Sequence, residues 1–264
     1  MRRRTTLGLA IVGVSVVVAS ALGQPPTAQR LPGYLKAEQA PDFRTFVPPP
    51  PAPDSPVGAA DLAVYRATRA LEGQPWWLMA ASDAQGSPAA LLKDFACGLG
   101  VSISPEQAPA TVRVLGRASA DLGRLIGPSK DFYARPRPFI TEPRPICVEP
   151  GVLANQGAYP SGHAAVGWLY ALVLAELAPE RAADLVARGR AYGESRVVCG
   201  MHWVSDIEAS RMIAAAVVAA LNGHEEYRAD AASARAELKG LRGVADAPPA
   251  AQCSAEHDLL ATPW

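Results

Sequence analysis

The sequence is poor in aromatic residues and has no excess of charge of either sign. Phe, Trp and Tyr make up 6% of the 264 residues, whereas apolar residues as a whole make up 49%. Lys and Arg together number 25, as do Asp and Glu, so the formal net charge is zero. A nucleic-acid-binding surface needs a basic excess, and its absence argues against such a partner. The apolar content is enough to build a core, which excludes a wholly disordered chain.

Segments that alternate polar and apolar residues, as half-buried β-strands do, are missing, and no internal repeat is found. Apolar residues instead recur three and four positions apart, which predicts helices. The predicted helices span 62–72 with Asp61 as N-cap, 88–98, 112–126, 166–177, 204–221 ending at Gly223, and a polar helix at 225–242. Pro179 is placed to open a further helix. Together with the abundant Ala, this pattern predicts an all-α, single-domain helical bundle.

Long apolar runs are missing beyond residue 23, so no membrane span is predicted in the mature chain. Three arginines at positions 2–4 precede an apolar run over 7–23 that ends in small residues. This pattern predicts a secretory signal peptide over 1–23 and a periplasmic or secreted protein. The alternative is an uncleaved anchor, for which the run is short. Cleavage removes three basic and no acidic residues, which leaves a net charge of −3.

Proline is unevenly distributed and suggests where the folded domain begins. Ten of the 25 prolines fall between Pro25 and Pro56. Because proline disfavours helix interiors, residues 24–56 are predicted to form an extended arm on the surface. The helical pattern assigns 57–242 to the folded domain, and residues 243–264 are predicted to be an irregular C-terminal tail.

The chain has only four cysteines, Cys97, Cys147, Cys199 and Cys253. An even number in an exported protein predicts two disulfides, for which three connectivities are possible. A zinc site is the alternative reading, but the sequence contains no C-x-x-C pair to support one.

Two of the four histidines lie in patterns that indicate chemistry. Pro160-Ser161-Gly162-His163 directly precedes a predicted helix, whose first N–H groups and positive dipole end form an anion site. The alternative is an N-cap serine followed by an exposed histidine. His202 and Asp206 are four residues apart, so on one helical face the carboxylate could fix the imidazole tautomer and leave the other nitrogen free to attack. The alternative is a surface His–Asp pair.

Basic side chains accompany both patterns. Arg196 has a guanidinium fork suited to phosphate oxygens, and Lys130, Arg135 and Arg137 form a cluster beside prolines. Alone, such a cluster is usually a solvated basic patch. Together with two imidazoles and an orienting acid, these cations are what phosphoryl transfer requires. No carboxylate cage for Mg²⁺ is found, so we expect neither a metal nor another cofactor.

These residues resemble a known signature. Lys130-x6-Arg137-Pro138, Pro160-Ser161-Gly162-His163 and Ser195-Arg196-x5-His202-x3-Asp206 resemble the three motifs of the type 2 phosphatidic acid phosphatase and vanadium haloperoxidase superfamily. The amino-acid sequences of 157–163 and 195–206 are similar to the corresponding segments of the bacterial class A non-specific acid phosphatases. The resemblance covers roughly residues 80–225, and chance assembly of all three blocks is negligible.

The resemblance implies an all-α bundle of this superfamily's type, with a role for each matched residue. His202 would attack phosphorus and become a phosphohistidine, Asp206 would orient it, and His163 would protonate the leaving alkoxide and later activate water. The phosphate would be held by Lys130, Arg137, Arg196, Ser161 and the Gly162 N–H. Because His202 must be neutral and His163 protonated, a bell-shaped pH profile in the acidic range is expected.

The implied activity is that of a metal-independent acid phosphatase acting on phosphomonoesters such as nucleotides and sugar phosphates, with possible transfer to alcohols and a homodimer as the family expectation. The alternatives are a vanadate-dependent haloperoxidase, in which His202 would bind the metal, and a non-catalytic phosphate-binding protein. Ala158 and Ala164 stand where many members have Ser and Thr, which leaves the substrate range and the balance of hydrolysis against transfer open.

Cys147 and Cys199 lie close in sequence to the motif blocks. If they pair, the bridge would tie the 139–159 loop to the His202 segment, and Cys97–Cys253 would pin the tail. The alternative is that Cys199 remains a small buried thiol.

Overall fold

The computed structural model describes residues 31–261, which form eleven α-helices and no β-strand. The predicted all-α class is therefore confirmed. The predicted signal peptide, 1–23, lies outside the described residues. Within 31–261, every helix is too short or too polar to cross a membrane.

The α-helices are α1 (Pro56–Thr68), α2 (Pro75–Ser82), α3 (Pro88–Asp94), α4 (Ala96–Leu99), α5 (Pro109–Tyr133), α6 (Pro138–Thr141), α7 (Gly162–Leu177), α8 (Ala182–Val198), α9 (Val204–Asn222), α10 (Glu225–Leu241) and α11 (Ala250–Ala261). Among these, α1, α2, α3, α5 and α6 begin with a proline. Proline suits this position because its fixed φ is already helical and its missing N–H would have had no partner. Part of the high proline content therefore starts helices rather than breaking them.

Helix α7 is the centre of the bundle. It packs along α8 and α9 and also against α5, and α10 packs against α5. Its buried residues lie on all sides, as Leu169, Tyr170, Val173 and Leu174 illustrate. A helix that is apolar all round is stable only when neighbours surround it, so α7 forms the core and its first turn lies inside the protein.

The contact between α7 and α8 depends on glycine. A Cβ placed on Gly167 would lie 2.3 Å from Cδ1 of Tyr192, so the backbones approach too closely for any other residue. We expect Gly167→Ala to lower the free energy of unfolding by about 2 kcal/mol through overpacking. At Gly116 on α5 a Cβ would meet nothing within 4 Å. Gly116→Ala should therefore raise the free energy of unfolding by about 0.5–1 kcal/mol. Urea denaturation measures the stability of both variants. Equal changes in Gly167→Ala and Gly116→Ala would contradict the close approach of α7 and α8.

Several predicted boundaries need correction. Helix α1 starts at Pro56 with Ser55 as N-cap, so Asp61 lies inside the helix and does not cap it. The predicted helix over 88–98 is divided into α3 and α4 at Phe95. Pro179 opens a short 3₁₀ turn, and α8 begins three residues later. The predicted end of α9 is confirmed, since Gly223 directly follows its last residue.

The described part of the N-terminal arm is packed against the bundle. Tyr34, Leu35 and Val47 are buried in the main core, and short 3₁₀ turns occupy Ala37–Gln39 and Phe43–Thr45. The backbone N–H of Tyr34 donates to the buried carboxylate of Asp121 at 2.7 Å. The prediction of an extended surface arm is therefore wrong for these residues, because their few apolar side chains are enough to anchor them.

The prediction of an irregular tail is also wrong, because residues 250–261 form α11. This segment consists largely of good helix formers such as Ala, Leu, Gln and Glu. Leu259 and Leu260 pack beside the cluster that contains Trp76 and Trp77. The Cys97–Cys253 disulfide ties α11 to α4, and the second disulfide joins Cys147 to Cys199. Of the three possible connectivities, the structure has the one in which the tail is bridged to α4 and the loop before α7 is bridged to Cys199, directly after α8.

Candidate active site

His202 and Asp206 are in contact, although not on one helical face. Helix α9 begins at Val204 with Trp203 as N-cap, so His202 precedes it. Asp206, in the first turn, reaches back and accepts the Trp203 N–H at 2.9 Å. The same oxygen lies 3.1 Å from Nδ1 of His202. The predicted pairing is present, but the physical reason differs: a carboxylate near a helix N-terminus bonds the residues in front of it.

This contact determines which nitrogen of His202 is free. A carboxylate can only accept, so Nδ1 of His202 carries the proton and Nε2 keeps its lone pair. Nη1 of Arg137 lies 3.1 Å from that Nε2 and, being a donor, agrees with this tautomer. The imidazole therefore has a basic nitrogen next to a guanidinium.

His202 lines a cavity of about 340 Å³ together with residues at the ends of four helices. Lys130 lies in the last turn of α5, Arg137 precedes α6, and Arg196 lies in the last turn of α8. Gly162 and His163 begin α7. The sequence-predicted residues in the cavity wall are Lys130, Arg137, Gly162, His163, Arg196 and His202. We call this arrangement the phosphate cup.

Three residues near the cup are buried and lie outside its wall. The hydroxyl of Ser161 accepts the Ala164 N–H at 3.3 Å as the N-cap of α7, and the residue is fully buried outside the cavity wall. Ala158 is buried in a cluster with Tyr65 and Trp203, and Ala164 in a cluster with Val197 and Ile207. The two alanines therefore fill apolar packing positions and do not line the cup.

His163 is held by the loop between α2 and α3. Its Nε2 lies 3.2 Å from the carbonyl oxygen of Ala84. Because a carbonyl only accepts, Nε2 carries a proton and Nδ1 is the nitrogen that gains or loses one. The two imidazoles of the cup therefore differ, with Nε2 free in His202 and Nδ1 free in His163.

The phosphate cup is crowded with positive charge. Burial, followed by the charge of Arg196, lowers the pKa of His163 to about 4. Burial, and then Arg137 and Lys130, hold the pKa of His202 well below its ordinary value. Burial and Arg137 lower the pKa of Lys130 to about 7. A bound anion would raise all three pKa values by favouring the charged forms, so the cup is suited to hold one.

A second set of polar residues lies behind Asp206, and sequence reasoning did not predict its role. Arg135 donates from Nη1 to Oδ1 of Asp206 at 2.6 Å and from Nη2 to Oδ2 of Asp61 at 2.8 Å. The backbone N–H of Ser205 donates to the other oxygen of Asp61 at 3.0 Å. The sequence predicts only a basic cluster that contains Arg135 and a helix cap at Asp61. No spacing rule joins residue 61 to residue 206, so only the fold shows this contact.

The chain resembles bacterial acid phosphatases over most of its length. It is 40% identical over 214 residues to an acid phosphatase of Zymomonas mobilis, which is 80% of this chain and 81% of that protein. It is 35% identical to non-specific acid phosphatases of Salmonella typhimurium, over 80% of this chain and 86% of the relative, and of Providencia stuartii, over 88% and 95%.

The sequence profile of the PAP2 superfamily matches residues 115–228, a segment that contains the three motif blocks. The resemblance inferred from those blocks is confirmed by this match and by the long alignments. The chain therefore belongs to the PAP2 superfamily and, within it, to the bacterial non-specific acid phosphatases.

Proposed function

We propose that this protein is an exported acid phosphatase that hydrolyses phosphomonoesters through a phosphohistidine on His202. The observation that carries the proposal is the imidazole of His202, which is fixed by Asp206 at Nδ1 and opens at Nε2 into a cup walled by three cations and a second imidazole. The names of the relatives, acid phosphatase and non-specific acid phosphatase, support the same activity.

The first step transfers the phosphoryl group to the enzyme. Lys130, Arg137 and Arg196 bind the phosphate oxygens, helped by the free N–H groups at the start of α7. Nε2 of His202 forms a bond to phosphorus while the bond to the ester oxygen breaks. His163 gives its proton to that oxygen, so the leaving group departs as an alcohol. Asp206 stabilises the positive charge that develops on the imidazole of His202.

The second step returns the enzyme to its starting state. His163, now neutral, takes a proton from a water molecule as that water attacks phosphorus. The bond between phosphorus and Nε2 breaks, and inorganic phosphate leaves. An alcohol in place of the water would give transfer, which we propose as a side reaction.

Release of inorganic phosphate from p-nitrophenyl phosphate at acid pH tests the activity. Turnover that EDTA does not reduce is expected, because protein cations occupy the positions a metal would take in other phosphatases. Binding of inorganic phosphate without turnover would instead indicate a binding protein. Halide oxidation in the presence of vanadate and peroxide would indicate the haloperoxidase alternative.

The pH dependence follows from the low pKa of His163, about 4. His163 must be protonated to act as acid and loses that proton as pH rises through its pKa. A bound phosphate dianion raises this pKa, so the alkaline limb of kcat should lie at higher pH than that of kcat/KM.

An alkyl phosphate is the suitable substrate for this measurement, because its poor leaving group makes the first step rate-limiting. A second ester with a different phosphate pKa separates the ionisation of the substrate from that of the enzyme. Limbs that coincide, or that lie in reverse order, would contradict the assignment of His163 as the acid.

The mouth of the cup favours a broad range of esters. Val148 and Leu153 supply apolar surface, while Gln85, Glu149 and Gln156 supply polar groups. We propose that nucleotides and sugar phosphates both fit. We also propose that the protein is periplasmic or secreted, since two disulfides require an oxidising compartment, and that it is a homodimer, which size-exclusion chromatography tests.

A further inference from the structure

Behind the His202–Asp206 pair, one guanidinium joins two buried carboxylates that come from different parts of the chain. We propose that Arg135 and Asp61 are positioning residues that set the charge on Asp206 and through it the reactivity of His202. The inference rests on the proposed function, because it concerns the nucleophile of that reaction. Neither residue is one of the specified motif positions, and neither lies in the wall of the phosphate cup.

The contacts show that Arg135 is held for this task. Its side chain is 11% exposed, and its two terminal nitrogens bond different acids, Asp206 at 2.6 Å and Asp61 at 2.8 Å. Its guanidinium also lies over the ring of Trp203, 5.2 Å from the centroid. Oδ1 of Asp206 is bonded by Arg135, and Oδ2 is shared by His202 and the Trp203 N–H. The carboxylate therefore cannot rotate without breaking one of these bonds.

Asp61 completes the arrangement from α1. Its carboxylate is 3% exposed and accepts from Arg135 and from both the N–H and the hydroxyl of Ser205. Ser205 lies in the first turn of α9, next to Asp206. The Asp61 carboxylate thereby fixes the start of α9 as well as the guanidinium, and it connects α1 to the nucleophile.

The charges give Arg135 and Asp61 opposite effects. Arg135 alone would neutralise most of the negative charge on Asp206 and weaken its support of a positive His202. Asp61 offsets the charge of Arg135, so the group behind Asp206 is nearly neutral. Burial raises the pKa of Asp206 to about 6, while Arg135 lowers it and Asp61 raises it. Removing the cation and removing the anion should therefore move the titration of the pair in opposite directions.

The other charged groups around Asp206 belong to the cup. These are His202 ahead of α9, Lys130 at the end of α5, and Arg137 ahead of α6. Tyr159 ahead of α7 also interacts with Asp206 and stays neutral, because burial raises its pKa. None of them is altered when Arg135 or Asp61 is changed, so a shift of the titration can be assigned to those two residues.

The test compares Arg135→Gln with Asp61→Asn by the pH profile of kcat/KM for p-nitrophenyl phosphate. The acid limb reports protonation of the His202–Asp206 pair in the free enzyme. We expect it to move to higher pH by roughly one unit in Arg135→Gln and to lower pH in Asp61→Asn. At the optimum, kcat should fall about tenfold in each, the scale known for outer hydrogen-bond partners of metal-bound histidines. Inhibition by inorganic phosphate should not change, because the cup is intact.

Controls separate positioning from a general loss of structure. Arg117→Gln removes another buried guanidinium, which bonds Glu226 on α10, and should lower thermal stability without moving the acid limb. Arg135→Lys keeps the charge and should restore part of the shift if Arg135→Gln folds poorly. Shifts in the same direction, or no shift in folded variants that bind phosphate, would overturn the inference. A wild-type protein without phosphatase activity would instead refute the proposed function.

Discussion

Replacing His202 by alanine is expected to lower kcat by roughly 10⁴-fold or more, because the variant lacks the atom that accepts the phosphoryl group. Lys130, Arg137 and Arg196 remain in the cup, so binding of inorganic phosphate, measured by calorimetry, should persist. The matched control is His257→Ala, since that histidine lies exposed on α11. It should keep full activity.

A His202→Ala protein that is folded, binds phosphate and still turns over within tenfold of the wild type would remove His202 from the chemistry. The phosphate cup would then serve only to bind phosphate. Loss of phosphate binding together with activity would show instead that the imidazole is needed to keep the cup in shape.

The second large effect is expected for His163→Asn, and it should depend on the leaving group. An acid catalyst matters most when the departing oxygen is basic, so alkyl phosphates should lose about 10²–10⁴-fold in kcat/KM. p-Nitrophenyl phosphate, whose phenolate leaves without a proton, should lose far less. The measurement is the ratio of kcat/KM for an alkyl phosphate to kcat/KM for p-nitrophenyl phosphate, in the variant and in the wild type.

An equal loss for both substrates would contradict the assignment of His163 as the acid that protonates the leaving group. His224→Asn is the matched control, because that residue lies at the start of α10 and lines no part of the cup. Its ratio should equal that of the wild type.

The sequence indicated the cup because its residues are concentrated in short segments. Pro160-Ser161-Gly162-His163 is typical of the start of a helix. The basic side chains of the first and third motifs do not form part of an apolar core, which indicates that they bind an anion. Six of the thirteen residues that line the cavity, including both imidazoles and the three basic side chains, are predicted from the sequence. The helical class was equally accessible, since the three-and-four spacing of apolar residues is a local property.

What the sequence did not show depends on contacts between distant segments. Asp61 meets Arg135 and Ser205 only because α1 packs near the start of α9. Helix α11 is fixed by Cys97, which lies 156 residues earlier in the chain. Ser161 is predicted from its motif to hold phosphate, but its hydroxyl caps α7 and the residue does not line the cavity.

The stereochemistry at phosphorus tests the central claim, a covalent phosphohistidine, most directly. The substrate is a phosphate ester made chiral with three oxygen isotopes, and the product analysed is the ester formed by transfer to an alcohol. Attack by His202 followed by attack of the alcohol gives two inversions, so we predict net retention of configuration. Net inversion would show a single direct displacement and would contradict the account.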